Sequence, residues 1–226
     1  MYADDLQIYI SFHPHSADDA IRALNSELNR INEWADNHTL TLNPSKSKFI
    51  IFGTKGQIET VESMDPCVAI NNVTVERVWK ARNLGVTFDA CLRFEEHVSE
   101  LARNCLYVIK VMYKIREYLS QELRKRLSEA LVLSKLNYCL PVFGPCLLAR
   151  SCRLLQRIQN ACVRFTQFIP PRTHVTPFIN NADMLNMKSR RDLHFASLLF
   201  GVVNSVVFVP RHSAVDKIYQ IRFIHS

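Results

Sequence analysis

The hydrophobic period of the chain changes at about Arg93, and this change limits what the chain can fold into. Before this point, short apolar runs alternate with polar turns, a pattern typical of short strands. After it, apolar residues recur every three or four positions, which predicts amphipathic helices. We therefore predict an α+β part over residues 1–90 and an all-helical bundle over residues 91–205. Residues 206–226 match neither pattern and stay unassigned.

In the first part, short strands are predicted around one long helix. Residues 6–12 alternate apolar and polar side chains, as a half-buried strand does. Ser16, with Asp19 three residues later, predicts a helix start, and the helix should run to about Asn37 with Trp34 packed in the core. The elements predicted next are a connector over 38–44, a strand over 49–53, a loop over 54–65, a hairpin over 68–78 turned at Asn71 and Asn72, and a strand over 81–89 containing Gly85.

Four helices are predicted after Arg93, ending near Leu119, Pro141, Phe165 and Asn204. Short loops with proline or glycine join them, so an antiparallel bundle is expected. Basic residues are concentrated on these helices, at Arg103, Lys110, Lys114, Arg116, Arg124, Lys125, Arg126, Lys135, Arg150, Arg153, Arg157, Arg164, Lys188, Arg190 and Arg191.

The composition fits a globular protein with a basic surface. The chain has 226 residues, 48% of them hydrophobic, which is enough to bury a core. Its net charge of +7 favours polyanionic partners, although a basic protein without such a partner would have the same composition. The seven cysteines show no Cys-x-x-Cys spacing, so a zinc site is not indicated and reduced intracellular thiols are expected.

Nothing in the sequence predicts export or a membrane span. Met1 precedes acidic residues instead of a basic, signal-like segment, so the protein is expected in the nucleus or cytoplasm and not to be secreted. The most apolar stretch, residues 195–209, is shorter than the roughly 20 residues that a membrane helix needs. A buried helix is predicted there.

Two adjacent carboxylates, Asp4 and Asp5, stand just before the predicted strand 6–12. Mg²⁺ prefers oxygen ligands and is usually held by one or two protein carboxylates beside substrate phosphates. The pair is therefore a candidate metal site, although a solvated turn explains the same two residues.

Several segments, in order, resemble the reverse transcriptases of non-LTR retrotransposons. Tyr2-Ala3-Asp4-Asp5 looks like their catalytic turn, and Leu84-Gly85-Val86-Thr87-Phe88-Asp89 looks like their primer-holding hairpin. The other matching segments are Leu42-Asn43-Pro44-Ser45-Lys46-Ser47-Lys48, the strand Phe49-Ile50-Ile51-Phe52, and the residues Leu92, Phe94 and His97 at the exit into the thumb.

The resemblance implies a fold, a reaction and a set of site residues. Residues 1–90 would be the C-terminal half of the palm, with short antiparallel strands and a helix, and residues 91–205 the helical thumb. Asp4 and Asp5 would be catalytic ligands of Mg²⁺ or Mn²⁺, and Lys46 would lie near the phosphates of the incoming dNTP. Leu84, Gly85 and Val86 would hold the end of the DNA primer on an RNA template.

In that family, the fingers and the first half of the palm precede the catalytic turn. The partner of the strand 6–12 would then lie before Met1, so this strand is expected to be an unpaired edge. Two-metal polymerases of this kind also need an aspartate from the earlier palm strand, and residues 1–226 alone are expected to be inactive. The alternatives are a non-catalytic nucleic-acid-binding or helical interaction module, or a degraded element copy without function.

A thumb binds template and primer through their phosphates, which requires lysine and arginine on one face. The strongest candidates are the runs Arg124-Lys125-Arg126 and Lys188, Arg190 and Arg191. Glutamates interleave with these cations, at Glu117, Glu122 and Glu129, so a solvated helix surface is the competing interpretation.

Overall fold

The computed structural model describes residues 6–170, 172–181, 184–204 and 221–224. It is mixed α and β, 61% helical with a few short strands. The chain divides into two compact units, which we call the sheet unit, Met1–Leu92 with Pro210–Ser226, and the helical unit, Arg93–Val209. The predicted mixture of helices and short strands is confirmed.

The main sheet of the sheet unit has the strand order β1-β8-β2-β5. Strand β2 pairs with β5 in parallel and with β8 in antiparallel orientation. Two further pairs, β3–β4 and β6–β7, are antiparallel. The strand bounds are β1 Tyr9–Ile10, β2 Lys48–Ile51, β3 Ala69–Ile70, β4 Val73–Thr74, β5 Glu76–Arg77, β6 Lys80–Asn83, β7 Val86–Asp89 and β8 Ile221–Ile224.

The prediction that residues 6–12 form an unpaired edge is wrong. Within this segment, β1 is a strand, and it pairs with β8, with Tyr9 opposite Arg222 and Ile10 opposite Ile221. Strand β8 comes from the tail that the sequence left unassigned. This pairing joins opposite ends of the chain, so no local sequence pattern could predict it.

Helix α1, Ala17–Asn37, lies where the sequence predicts it and buries Ile21, Leu24 and Leu28. Ser16 does not cap it through its side chain; its hydroxyl donates to the carbonyl of His13 instead. Trp34 was predicted in the core, but it is 52% exposed and its ring stacks on His38 at 4.4 Å. The buried face of α1 continues through Ala35, and Trp34 lies about 100° around the helix from it.

Residues 54–65, predicted as a loop, contain helix α2, Lys55–Glu62. Its start is a capping box, in which the Thr54 backbone N–H donates to Gln57 Oε1 at 2.8 Å. The helix buries Ile58 and Val61. The Thr-x-x-Gln spacing before an apolar pair was the sequence signal for this helix.

The helical unit contains the long helices α3, α7 and α9 and several shorter ones. A π-helical turn, Glu129–Leu133, joins α4 to α5, and α3 ends earlier than predicted. Helices α3 and α7 pack against each other, and Cys105 of α3 and Ile158, Cys162 and Phe165 of α7 are all 0% exposed. The bounds are α3 Glu95–Tyr113, α4 Gln121–Ser128, α5 Ser134–Asn137, α6 Leu140–Phe143, α7 Ala149–Gln167, α8 Thr176–Asn181 and α9 Met187–Asn204.

The apolar stretch that begins at Phe195 is helical as far as Asn204 but is not buried, contrary to the prediction. Phe200 is 71% exposed and Val203 is 81% exposed. Met187, the first residue of α9, is buried. Within the residues that the structure describes, no helix is both long and apolar enough to cross a membrane.

Candidate nucleic-acid interface

The two carboxylates of the predicted catalytic turn, Asp4 and Asp5, lie outside the described residues. The chain that follows them is held against the β6–β7 hairpin, because Gln7 Nε2 donates to Asn83 Oδ1 at 2.8 Å. Asn83 is 6% exposed and immediately precedes the hairpin turn. Across the described part of the chain, no three His, Cys, Asp or Glu side chains are grouped so that they could hold a metal ion.

The β6–β7 turn presents an apolar side chain to solvent. Leu84 has φ 44° and Gly85 has φ 81°, so both central residues of this two-residue turn are left-handed, as in a type I′ turn. Leu84 is 48% exposed, whereas Val86 is 2% exposed. Of the three predicted primer-holding residues, the structure therefore places Leu84 and Gly85 at the tip and Val86 in the interior.

Replacing Leu84 with asparagine should raise the free energy of unfolding of the sheet unit by about 0.5–1 kcal/mol. Asparagine tolerates the left-handed region, whereas leucine adopts it at a cost, and the exposed leucine side chain contributes little packing. Urea unfolding followed by tryptophan fluorescence checks this, because Trp34 and Trp79 both belong to the sheet unit.

The matched control is Leu84→Val. A β-branched residue is disfavoured at a positive φ, so this variant should lose stability where the asparagine variant gains it. Equal stability of the two variants would show that the turn conformation does not limit the hairpin.

Lys46, the predicted phosphate-binding lysine, projects from a turn built by Asn43. The Asn43 side chain accepts from the backbone N–H groups of Ser45 and Lys46 at 3.1 and 3.3 Å. The Lys46 side chain is exposed and has no ion pair among the described residues. Its neighbour Lys48, in contrast, pairs with Glu76 at 3.5 Å, so Lys46 is the lysine of this segment that is free to meet a phosphate.

The run Arg124-Lys125-Arg126 does not form one exposed cationic surface. Arg124 is 7% exposed, and its guanidinium donates to the carbonyls of Thr166, at 3.1 Å through Nε, and Leu119. Arg126 is exposed but bonds Glu122 at 3.0 Å, and Lys125 is half-buried. The Arg124 guanidinium is thus buried and hydrogen-bonded within the protein.

Arg124 belongs to a cluster at the C-terminal end of α7. Arg116 donates to the carbonyls of Arg164 and Phe165, at 2.6 and 3.0 Å. Both guanidiniums lie over the ring of Phe168, at 3.9 Å for Arg116 and 4.1 Å for Arg124. Burial, together with the charge of Arg116, lowers the pKa of Arg124. The two arginines therefore place their positive charges against the last carbonyls of α7, where the helix dipole favours cations.

The second predicted set of cations, Lys188, Arg190 and Arg191, does not form one exposed surface either. Arg190 is half-buried and donates to Asn137 Oδ1 at 3.1 Å, and burial lowers its pKa. Arg191 Nη1 donates to the sulfur of Cys152 at 2.8 Å. Only Lys188 is exposed.

A cationic surface with more exposed side chains lies on α3 and its C-cap residue Lys114. Arg103, Tyr107, Lys110 and Lys114 form what we call the α3 outer face. Their spacing of four, three and four residues puts them on one side of the helix, over about 16 Å. All four are exposed, Tyr107 at 69%. No acidic residue occurs between Glu100 and Glu117, and no described residue forms an ion pair with the three cations. The sequence analysis favoured runs of consecutive cations and therefore missed this surface. The signal for it was the helical spacing of Arg103, Tyr107, Lys110 and Lys114.

Similarity to known proteins adds no guide to the role of these surfaces. No family model, curated protein or solved structure matches this chain.

Proposed function

We propose that residues 1–226 are the C-terminal palm and thumb of an RNA-directed DNA polymerase from a non-LTR retrotransposon. The motifs described above support this through their order: an Asp-Asp turn, a lysine-bearing strand entry, a two-residue hairpin and a helical region. In this proposal the sheet unit is the palm part and the helical unit is the thumb.

One contact carries the polymerase proposal, the hydrogen bond from Gln7 to Asn83. Gln7 follows Asp5 by two residues, and Asn83 directly precedes the exposed tip residue Leu84. A primer-holding hairpin has to lie beside the catalytic carboxylates, since the primer end must reach the metal-bound nucleotide. The contact holds the hairpin beside Gln7, two residues after Asp5, and this proximity supports the proposal.

Asp4 and Asp5 would hold Mg²⁺, and the metal would stabilise the attacking and leaving oxygens of nucleotidyl transfer. Lys46 would offset negative charge on the phosphates of the dNTP. Leu84 would contact the sugar or base at the primer end through its apolar side chain.

A specific observation favours a second function, nucleic-acid binding without catalysis. The α3 outer face carries three cations without described ion-pair partners around an exposed tyrosine. Cations of this kind neutralise phosphates, and an exposed aromatic ring can stack on a base. This face needs no carboxylate or metal ion, so it would bind nucleic acid whether or not the palm is active.

The α3 outer face is tested by the triple variant Arg103→Gln, Lys110→Gln and Lys114→Gln. It should weaken binding to an RNA–DNA hybrid by about tenfold or more in moderate salt, and lower the salt dependence by about 2–3 released counterions. Fluorescence anisotropy over a range of salt concentrations measures both quantities.

The matched control removes the same charge from the sheet unit through Arg22→Gln, Arg30→Gln and Lys55→Gln. These cations are exposed and already paired with Asp19, Glu27 and Glu59. Equal losses in the two triple variants would mean that net charge alone drives binding, and the proposed role of the α3 outer face would be wrong.

The same protein, assayed with template, primer, dNTP and Mg²⁺, separates the two functions. Residues 1–226 should bind the hybrid without extending the primer. Extension that disappears in Asp4→Asn would instead establish a polymerase that needs no further palm strand.

A further inference from the structure

A basic cavity lies between α7 and α9, inside the helical unit. Its volume is about 210 Å³, and its walls include three cationic side chains, Arg153, Lys188 and Arg191. No aspartate or glutamate lines it, and none of the three cations has an ion-pair partner among residues 6–170, 172–181 and 184–204. Such a cavity favours an anionic occupant.

The wall of this cavity also carries a thiol. Cys152 lines it and lines a second cavity of about 480 Å³, and Arg191 lines both as well. Arg191 Nη1 lies 2.8 Å from the Cys152 sulfur. The thiol is only half-buried, so a small molecule entering either cavity would meet the sulfur and the guanidinium together.

The other thiols of the helical unit lack this setting. Cys105 and Cys162 are buried, and burial raises their pKa values to about 11 and about 12, which disfavours the reactive thiolate. Cys146 is exposed and Cys139 is half-buried, but neither lines either cavity and neither has a described cation bonded to its sulfur. Cys146 is therefore a built-in reference thiol.

Thiol–disulfide exchange passes through a transition state in which negative charge is spread over three sulfur atoms. A guanidinium bonded to the attacking sulfur stabilises that charge, as fixed donors do at other anionic transition states. Lys188 and Arg153 would attract carboxylates carried by the incoming disulfide. The cavity thus combines a nucleophile, a stabilising cation and an anion-binding wall.

We propose that the α7–α9 cavity binds small disulfides that carry carboxylates, and that Cys152 exchanges with them to form a mixed disulfide. The Cys152 sulfur forms a bond to one sulfur of the disulfide, and the original sulfur–sulfur bond breaks. The departing half leaves as a thiolate and takes up a proton in place of the one that Cys152 releases. Cys152 is oxidised, and half of the small disulfide is reduced to a thiol. This inference does not depend on the proposed function.

The test compares two small disulfides of opposite charge on the full chain, glutathione disulfide and cystamine. Peptide mapping by mass spectrometry gives the rate of modification at Cys152 and at Cys146 in the same sample. Cys152 should react about tenfold faster with glutathione disulfide than with cystamine, whereas Cys146 should show a much smaller preference. Arg191→Gln should reduce the preference at Cys152 to that of Cys146.

A second variant guards against a folding effect of Arg191→Gln. Arg153→Gln with Lys188→Gln changes only exposed side chains, and it should reduce the preference while Arg191 stays in place. The matched control is Arg157→Gln, an exposed cation of α7 that does not line the cavity. Equal rates with the two disulfides at Cys152, or a preference that survives both cavity variants, would overturn the proposal.

Discussion

Replacing Arg124 with alanine should lower the free energy of unfolding of the helical unit by about 2–4 kcal/mol. The Arg124 side chain is almost fully buried and donates to the carbonyls of Thr166 and Leu119. Alanine would leave these two acceptors without a partner and would remove the guanidinium stacked on Phe168. Arg124→Lys should lose less stability than Arg124→Ala, because the ammonium keeps the positive charge. Some stability should still be lost, because an ammonium lacks the planar fork that reaches both carbonyls.

The matched control is Arg126→Ala, two residues away on the same helix. Arg126 and its partner Glu122 are 72% and 65% exposed, so this variant should change stability by less than about 1 kcal/mol. Urea unfolding followed by far-UV circular dichroism measures both variants, and tryptophan fluorescence reports the sheet unit separately. Equal losses for Arg124→Ala and Arg126→Ala would contradict a structural role for Arg124.

Replacing Phe143 with alanine should cost about 3–5 kcal/mol of stability in the helical unit. Phe143 is 0% exposed. Its ring lies 4.9 Å from that of His97, edge to face, and 6.3 Å from that of Phe94. Truncation would remove both aromatic contacts and leave a cavity at the start of α3, because short helix α6 holds Phe143 against it.

The control for this prediction is the preceding residue. Val142 is 48% exposed, so Val142→Ala should change stability by no more than about 0.5 kcal/mol. The same urea titration measures it. A loss for Phe143→Ala no larger than this control would mean that the aromatic contacts contribute little to the helical unit.

The basic residues of the helical unit include two groups that the sequence does not distinguish. Arg116, Arg124 and Arg190 are bound by carbonyl or amide oxygens of the protein, so their replacement should act mainly on stability. Arg103, Lys110 and Lys114 have no such partners among the described residues, so their replacement should act on binding. Measuring stability and hybrid affinity for both groups separates structural from interfacial charge.

Helix positions were largely predictable from the sequence. The apolar residues of α1, α3 and α7 recur at helical spacing, and this pattern indicates which face of each helix is buried. The turn at Asn71 and Asn72 was predictable too, because asparagine is one of the few residues that tolerate the φ values of 52° and 59° found there. The start of helix α2 could also be predicted from the sequence, because Thr54 and Gln57 have the spacing of a capping box.

The partners of long side chains and of edge strands were decided by the tertiary structure alone. Arg124 and Arg126 are identical residues two positions apart, yet only Arg124 meets the end of α7, because that depends on where another helix stops. In the same way, β1 and β2 both pair with β8, a contact between distant parts of the chain. The sequence by itself determined the local elements, because periodicity and turn chemistry act over a few residues. The tertiary structure decided which cations remain free for a ligand, because burial and pairing depend on elements far apart in the chain.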